Sequence, residues 1–126
     1  MRIYLAARYA RYEEMGGYVT DRLRELGHEV QAEWTTGQHH DTDSARCAGI
    51  DYNEIAAADV VISFTEPPGM ETAGRGRGGR HVEFGIALAM GKRCIVVGYR
   101  ENVFHHLPDV EFCERFADLL ALLGDA

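Results

Sequence analysis

Residues 59–64 read DVVISF. Three consecutive β-branched residues, Val60, Val61 and Ile62, lead into Ser63 and Phe64, so apolar groups fall on both faces of an extended chain. A strand apolar on both faces belongs at the centre of a parallel sheet, covered by helices above and below. On its amino-terminal side, residues 44–58 carry Ile50, Ile55 and Ala58 at helical spacing behind Asp43 or Ser44 as a cap. On its carboxyl-terminal side a Gly/Pro/Arg loop, 65–79, precedes a helix over 80–90 that Gly91 closes. The inner face of that helix is predicted to be Val82, Ile86, Ala89 and Met90. A second buried strand, RCIVVG, follows over 93–98.

The pattern repeats further out. RIYLA at 2–6 reads as a buried strand, and 11–26 as a helix with Met15, Val19, Leu23 and Leu26 inward, stopping at Gly27. EVQAEW at 29–34 alternates and reads as an edge strand, with a polar loop after it over 35–43. A short strand near 110–112 and an amphipathic helix over 114–123, with Phe116, Leu119, Leu120 and Leu123 inside, complete the order. Alternating strands and helices predict an α/β fold, a flavodoxin-like three-layer sandwich. Its five-stranded parallel sheet has order 2-1-3-4-5, with helices on both faces. Ligands in such sheets sit beyond the carboxyl ends of the strands. The loops at 7–10, 65–79 and 99–108 should meet there.

The 126 residues suit one domain, 1–126. Twenty acids oppose thirteen bases, twelve of them arginine, for a net charge of −7. That balance speaks against a nucleic-acid polymer as partner, because phosphate neutralisation needs a basic face. No apolar run reaches the roughly 20 residues of a membrane span, and no secretory pattern opens the chain. Cys47, Cys94 and Cys113 form no CxxC pair, which fits reduced thiols in a cytoplasmic protein.

Several motifs look like chemistry and do not hold. Gly74, Gly76 and Gly79 satisfy GxGxxG formally, but ten residues separate Gly74 from the strand end at Phe64, and no acid follows the next strand. His81-Val82-Glu83 resembles the HxE of zinc deaminases without their PCxxC partner. His39-His40-Asp41 and His105-His106 are adjacent residues, poorly placed to share one metal ion. The loop 74–80 does offer Arg75, Arg77 and Arg80 ahead of a helix, either a seat for an anion such as phosphate or a solvated loop. Glu83 follows that loop. The helix dipole favours an acid there, and so would a site at the cleft; spacing leaves both open. Asp51, one turn before Ile55, is either an acid on an inner stripe or one at its solvent edge. Two carboxylates converging on a pocket suit glycosidic bond cleavage, provided their pKa values are pushed apart. Asp59 lies at the far end of its strand and reads as structural.

Three stretches together resemble the nucleoside 2-deoxyribosyltransferase family, including the related 2′-deoxynucleoside 5′-phosphate N-hydrolases. RIYLAA (2–7) is similar to the family's opening strand with its tyrosine, here Tyr4. DYNEIAAAD (51–59) is similar to its D-x7-D run, and GRHVEFGIALAMGK (79–92) to its nucleophile helix. The resemblance implies that Glu83 attacks C1′ of the sugar, that Asp51 assists proton transfer at the base, and that Tyr4 orients Glu83. It implies cleavage of the N-glycosidic bond of a (2′-deoxy)nucleoside or its 5′-monophosphate, with the sugar transferred to another base. Hydrolysis of a monophosphate is the alternative, and a non-catalytic nucleotide-binding module is the alternative of another class. No metal or organic cofactor is implied, and a homo-oligomer is.

The substrate would meet Ala7 and Arg8 after the first strand and Arg77, Gly79, Arg80 and His81 around the glycine-rich loop. Asn102, Phe104 and His105 would line the base pocket or a subunit interface. The sequence departs from the hydrolase branch in having no serine in 7–9 or 74–80, where that branch holds its phosphate.

Overall fold

The computed structural model describes residues 1–37, 43–69 and 78–124. Five strands, β1 (Arg2–Ala6), β2 (Glu29–Val30), β3 (Val60–Phe64), β4 (Arg93–Val97) and β5 (Glu111–Cys113), form one sheet. Its order is β2-β1-β3-β4-β5 and every pairing is parallel, as expected for the flavodoxin-like sandwich. All five residues of β3 are buried. Its register places Val61 beside Tyr4 and Ser63 beside Ala6 on one side, and Ile62 beside Ile95 on the other. Among the described residues no helix is long and apolar enough to cross a membrane.

Helix α1 (Tyr12–Glu14) and α2 (Thr20–Glu25) run together through a π-helical turn, Met15–Val19, after a 3-10 turn at Tyr9–Arg11. Gly16 lies in that π turn because a Cβ there would collide with the Thr35 carbonyl. Asp43 caps α3 (Ser44–Ala57) by accepting the Arg46 N–H at 3.0 Å. Helix α4 (Gly79–Ala89) starts at Gly78, whose φ of +82° favours glycine. Helix α5 (Phe116–Gly124) packs Phe116 on Phe64, ring centroids 6.0 Å apart. Strand alternation therefore points Phe64, Ile62, Ile3 and Leu5 toward the α5 face, and Tyr4, Ala6, Val61 and Ser63 toward α3 and α4. At the amino-terminal edge Asp59 accepts the Arg2 N–H and returns its own N–H to the Arg2 carbonyl, both at 2.8 Å, a structural bond far from the cleft.

Three sequence expectations need correction, the first at Leu26, which is expected inward but is 40% exposed beyond the end of α2 at Glu25. The edge strand ends at Val30 and does not reach Trp34, which lies in a 3-10 turn, Glu33–Thr36. There the indole N–H donates to the Leu5 carbonyl at 2.8 Å, and the hydroxyls of Thr35 and Thr36 bond carbonyls three residues back. These local bonds outcompete a sheet ladder at the edge. The phase of α4 is also different: Arg80, Phe84 and Ala87 are its buried residues, while Val82 is 63% exposed. A buried arginine at the start of the helix turns the stripe.

Candidate active site

Tyr4 is fully buried on β1, with its ring directed at α4. Its hydroxyl donates to Glu83 Oε2 at 2.6 Å, a charge-assisted distance. From α3, Asp51 approaches the same carboxyl closely enough to share a hydrogen bond with it and to act on it electrostatically. The structure thus brings Tyr4, Asp51 and Glu83 to one place, where strand β1 passes between two packed helices. A third acid stands beside them. Glu54, one turn after Asp51, acts on both Tyr4 and Glu83 through its charge, and its two oxygens accept the Glu33 N–H at 3.1 and 3.3 Å. The sequence reading passed over Glu54; its i,i+3 spacing from Asp51 was the available signal.

Burial pushes the Glu83 carboxyl up to about 8; the Tyr4 hydrogen bond opposes this, while the charge and hydrogen bond of Asp51 and the charge of Glu54 add to it. Tyr4 is driven far above the ordinary phenol value by burial, then by the Glu83 and Asp51 charges, so it serves as a donor and not as an acid. Two interacting carboxyls titrate as a pair, and near neutral pH this one retains a proton.

The remaining predicted residues divide. Ala7 is buried where β1 ends, and Arg8 beside it reaches Glu66 Oε1 at 3.4 Å. Arg11 holds the other Glu66 oxygen at 2.9 Å and is also bound by Glu14. Gly79 begins α4, exposed. Arg77, Arg75 and the pair His39-His40 lie outside the described residues.

Arg80, expected at the substrate, turns inward: its side chain is 7% exposed and both guanidinium ends bind Glu101. His105 is also withdrawn. It is 1% exposed, its Nδ1 accepts the Glu101 N–H at 2.9 Å, and its ring meets Phe84 edge-on at 5.1 Å. Burial, then the charge of His81, lowers its pKa to about 4, so it is a neutral core residue.

His81, Asn102 and Phe104 stay at the surface, on the opposite flank of α4 from Asp51. Asn102 Nδ2 lies 3.4 Å from His81 Nδ1. With Leu88 and Leu107 they border a groove of about 750 Å³ that does not include Tyr4, Asp51 or Glu83. Among the described residues no three His, Cys, Asp or Glu side chains are grouped to hold a metal ion.

No family model matches the sequence, and no curated protein does. Solved structures do. The CMP N-glycosidase BcmB of Clostridium botulinum is 25% identical with a TM-score of 0.67, over 98% of each chain. A 2-desoxiribosyltransferase from Leishmania mexicana is 15% identical with a TM-score of 0.73, over 98% of this chain and 97% of that one. The likeness first carried by three short motifs extends over nearly the whole length of both structures, so the chain shares their fold.

Proposed function

We propose that the protein cleaves the N-glycosidic bond of a (2′-deoxy)nucleoside or its 5′-monophosphate through a covalent Glu83 glycosyl-enzyme. The observation that carries this is the Tyr4–Glu83–Asp51 cluster, in which a buried carboxyl accepts a hydrogen bond from a phenol and lies within hydrogen-bonding reach of a second acid. For the first step the proton that burial keeps on Glu83 passes to Asp51, which leaves Glu83 ionised. Glu83 attacks C1′, the C1′–N bond breaks, and the base leaves with the bonding electron pair and takes the proton from Asp51. Tyr4 keeps its donor bond to the Glu83 oxygen that does not attack. In the second step another base attacks C1′ and returns its proton to Asp51, which regenerates the pair.

Water as the second nucleophile is the alternative, and the CMP N-glycosidase at 25% identity favours it. Arg8, in the loop after β1, is then our candidate for a 5′-phosphate, because its pairing with Glu66 is single and long. We further propose a homo-oligomer that covers the outer groove of α4. Val82 is 63% and Phe104 60% exposed beside that groove, so a two-fold axis can place the knobs of one copy against the hollow of the other.

Incubation of the purified protein with nucleosides and monophosphates, with and without a second free base, tests the reaction. Free base alone identifies a hydrolase and a new nucleoside a transferase. Wild type and Glu83→Ala equally inert on all of them would overturn the proposal. Ligand affinity without turnover or trapping by a 2-fluoro sugar would identify a binding module instead. Sedimentation of wild type against Phe104→Ser tests the assembly.

A further inference from the structure

Glu101 is a heavily bonded acid that the sequence patterns did not single out. Glu101 leaves β4 in the loop YREN, and its side chain is 7% exposed. Its carboxylate takes both ends of the Arg80 guanidinium, with Nη2 to Oε2 at 2.8 Å, and accepts the Glu66 N–H at 3.1 Å. Its own N–H goes to His105 Nδ1, and His81 Nε2 stands 4.0 Å away. Burial alone would raise this carboxyl, but the Arg80 bonds, the Glu66 N–H and the Arg80 charge hold it below the ordinary value. One ionised group therefore ties together the loop after β3, the loop after β4 and the first turn of α4. Glu66 extends the tie to the loop after β1, through Arg8 and Arg11.

The tie falls where α4 is otherwise poorly anchored. Gly78 supplies no side-chain cap to the helix, and a second glycine, Gly79, follows it. A helix end entered through glycines has little to fix its height or azimuth. Arg80 is three residues before Glu83, so whatever holds Arg80 sets where Glu83 meets Tyr4. The 2.6 Å bond between helix and strand does not survive a shift of about an ångström, and such a misplacement costs reactions of this kind roughly a hundredfold.

We infer that Glu101 is a positioning residue: acting through Arg80, it holds the start of α4 so that Glu83 faces Tyr4 and Asp51. The catalytic half of this inference rests on the proposed glycosyl-enzyme; the anchoring half does not. It also explains why Arg80 is unavailable to a substrate anion.

The test compares Glu101→Gln with the double variant Arg80→Met plus Glu101→Met. A buried ion pair replaced by apolar side chains of similar volume commonly leaves stability unchanged or raised, so the double variant controls for folding. Each protein is titrated with a 2-fluoro nucleoside to count competent sites, and kcat per site and KM are measured on whichever substrate the wild type turns over. Amide exchange is followed at residues 79–83 and, as internal reference, in α2.

The expected result is a 10- to 100-fold loss of kcat per site in both variants, with KM within about threefold. Exchange at 79–83 should accelerate at least tenfold, with α2 unchanged. A folded double variant with wild-type kcat overturns the inference and leaves the proposed reaction intact. Unchanged exchange at 79–83 overturns it also. A wild type inert on every substrate removes the proposed reaction, and the exchange data then decide the anchoring alone.

Discussion

Helix α4 has two flanks that differ in almost every physical respect. Toward α3, Glu83 meets a buried phenol and an acid of another helix, and its carboxyl is shifted by burial to about 8. Toward the loop after β4, His81, Gly85, Leu88 and Ala89 border an open groove whose opposite wall is Asn102, Phe104 and Leu107. The tripeptide His81-Val82-Glu83 feeds both. Successive helical residues are about 100° apart, so positions 81 and 83 diverge by roughly 200°. The proposed chemistry sits on the enclosed flank, where desolvation lifts a carboxyl well above its ordinary value. The open flank has apolar area and no convergent charge.

The largest effect expected from this contrast is at Glu83. Glu83→Gln keeps the shape and the acceptor for Tyr4 but removes the proposed nucleophile, so kcat should fall by roughly 10³-fold or more, and covalent trapping with it. Intact-protein mass after a 2-fluoro nucleoside checks this. A Gln variant that still traps the sugar would move the nucleophile elsewhere. Tyr4→Phe should cost less, about 10- to 100-fold in kcat. Its pH profile carries the sharper information. The Tyr4 hydrogen bond is the influence that holds the Glu83 pKa down. Its loss must move the acid limb of kcat/KM to higher pH, and a limb that stays or moves down contradicts the assigned bond.

The enclosed flank should also record its cost in stability. The folded pKa of Glu83 is raised, so its contribution is fully present below about 4.5 and is lost as pH rises through about 8. Glutamine does not titrate. Glu83→Gln should therefore match wild type in stability near pH 4.5 and exceed it increasingly up to about pH 8, by several kcal/mol there, with no further growth above. Melting curves across that range check the sign. A constant gap would mean that Glu83 ionises freely in the folded protein.

How far these flanks were legible in the sequence follows from the range of the interactions involved. The sheet was readable because residues such as Val60–Phe64 are buried on both faces, a burial that local composition alone records. The carboxyl end of the edge strand was not, since Trp34 turns away to reach the Leu5 carbonyl, 29 positions earlier. Tyr4, Asp51 and Glu83 were found through family-like motifs, while spacing alone left both acids ambiguous. The phase of α4 was misread for one reason: Arg80 is buried by Glu101, 21 positions later, and an arginine at a helix start ordinarily reads as solvated. Glu66 and Glu101 were invisible for the same cause. An acid in a loop has no periodicity, and only folding shows which guanidinium it meets.

The smallest predicted effect probes the open flank directly. His81 resembles a catalytic histidine in sequence, two residues from the proposed nucleophile and beside an arginine. In the fold its nearest polar neighbours are Asn102 Nδ2 at 3.4 Å and Glu101 Oε2 at 4.0 Å, both on the far side of the helix from Asp51. Burial, then the Arg80 charge, lowers its pKa against the opposing pull of Glu101, so at neutral pH it carries no proton to donate as an imidazolium. Glutamine can keep a polar contact to Asn102, and the ring contact it gives up is the tilted one to His105 at 6.0 Å. His81→Gln should therefore leave kcat and its acid limb within about threefold of wild type. Steady-state rates at pH 6 and 8 measure this. A loss approaching that of Tyr4→Phe would mean that the two flanks of α4 communicate through the helix or through a neighbouring subunit seated in the groove. Repeating the measurement at dilutions below the self-association constant separates those two routes, because only the second depends on protein concentration.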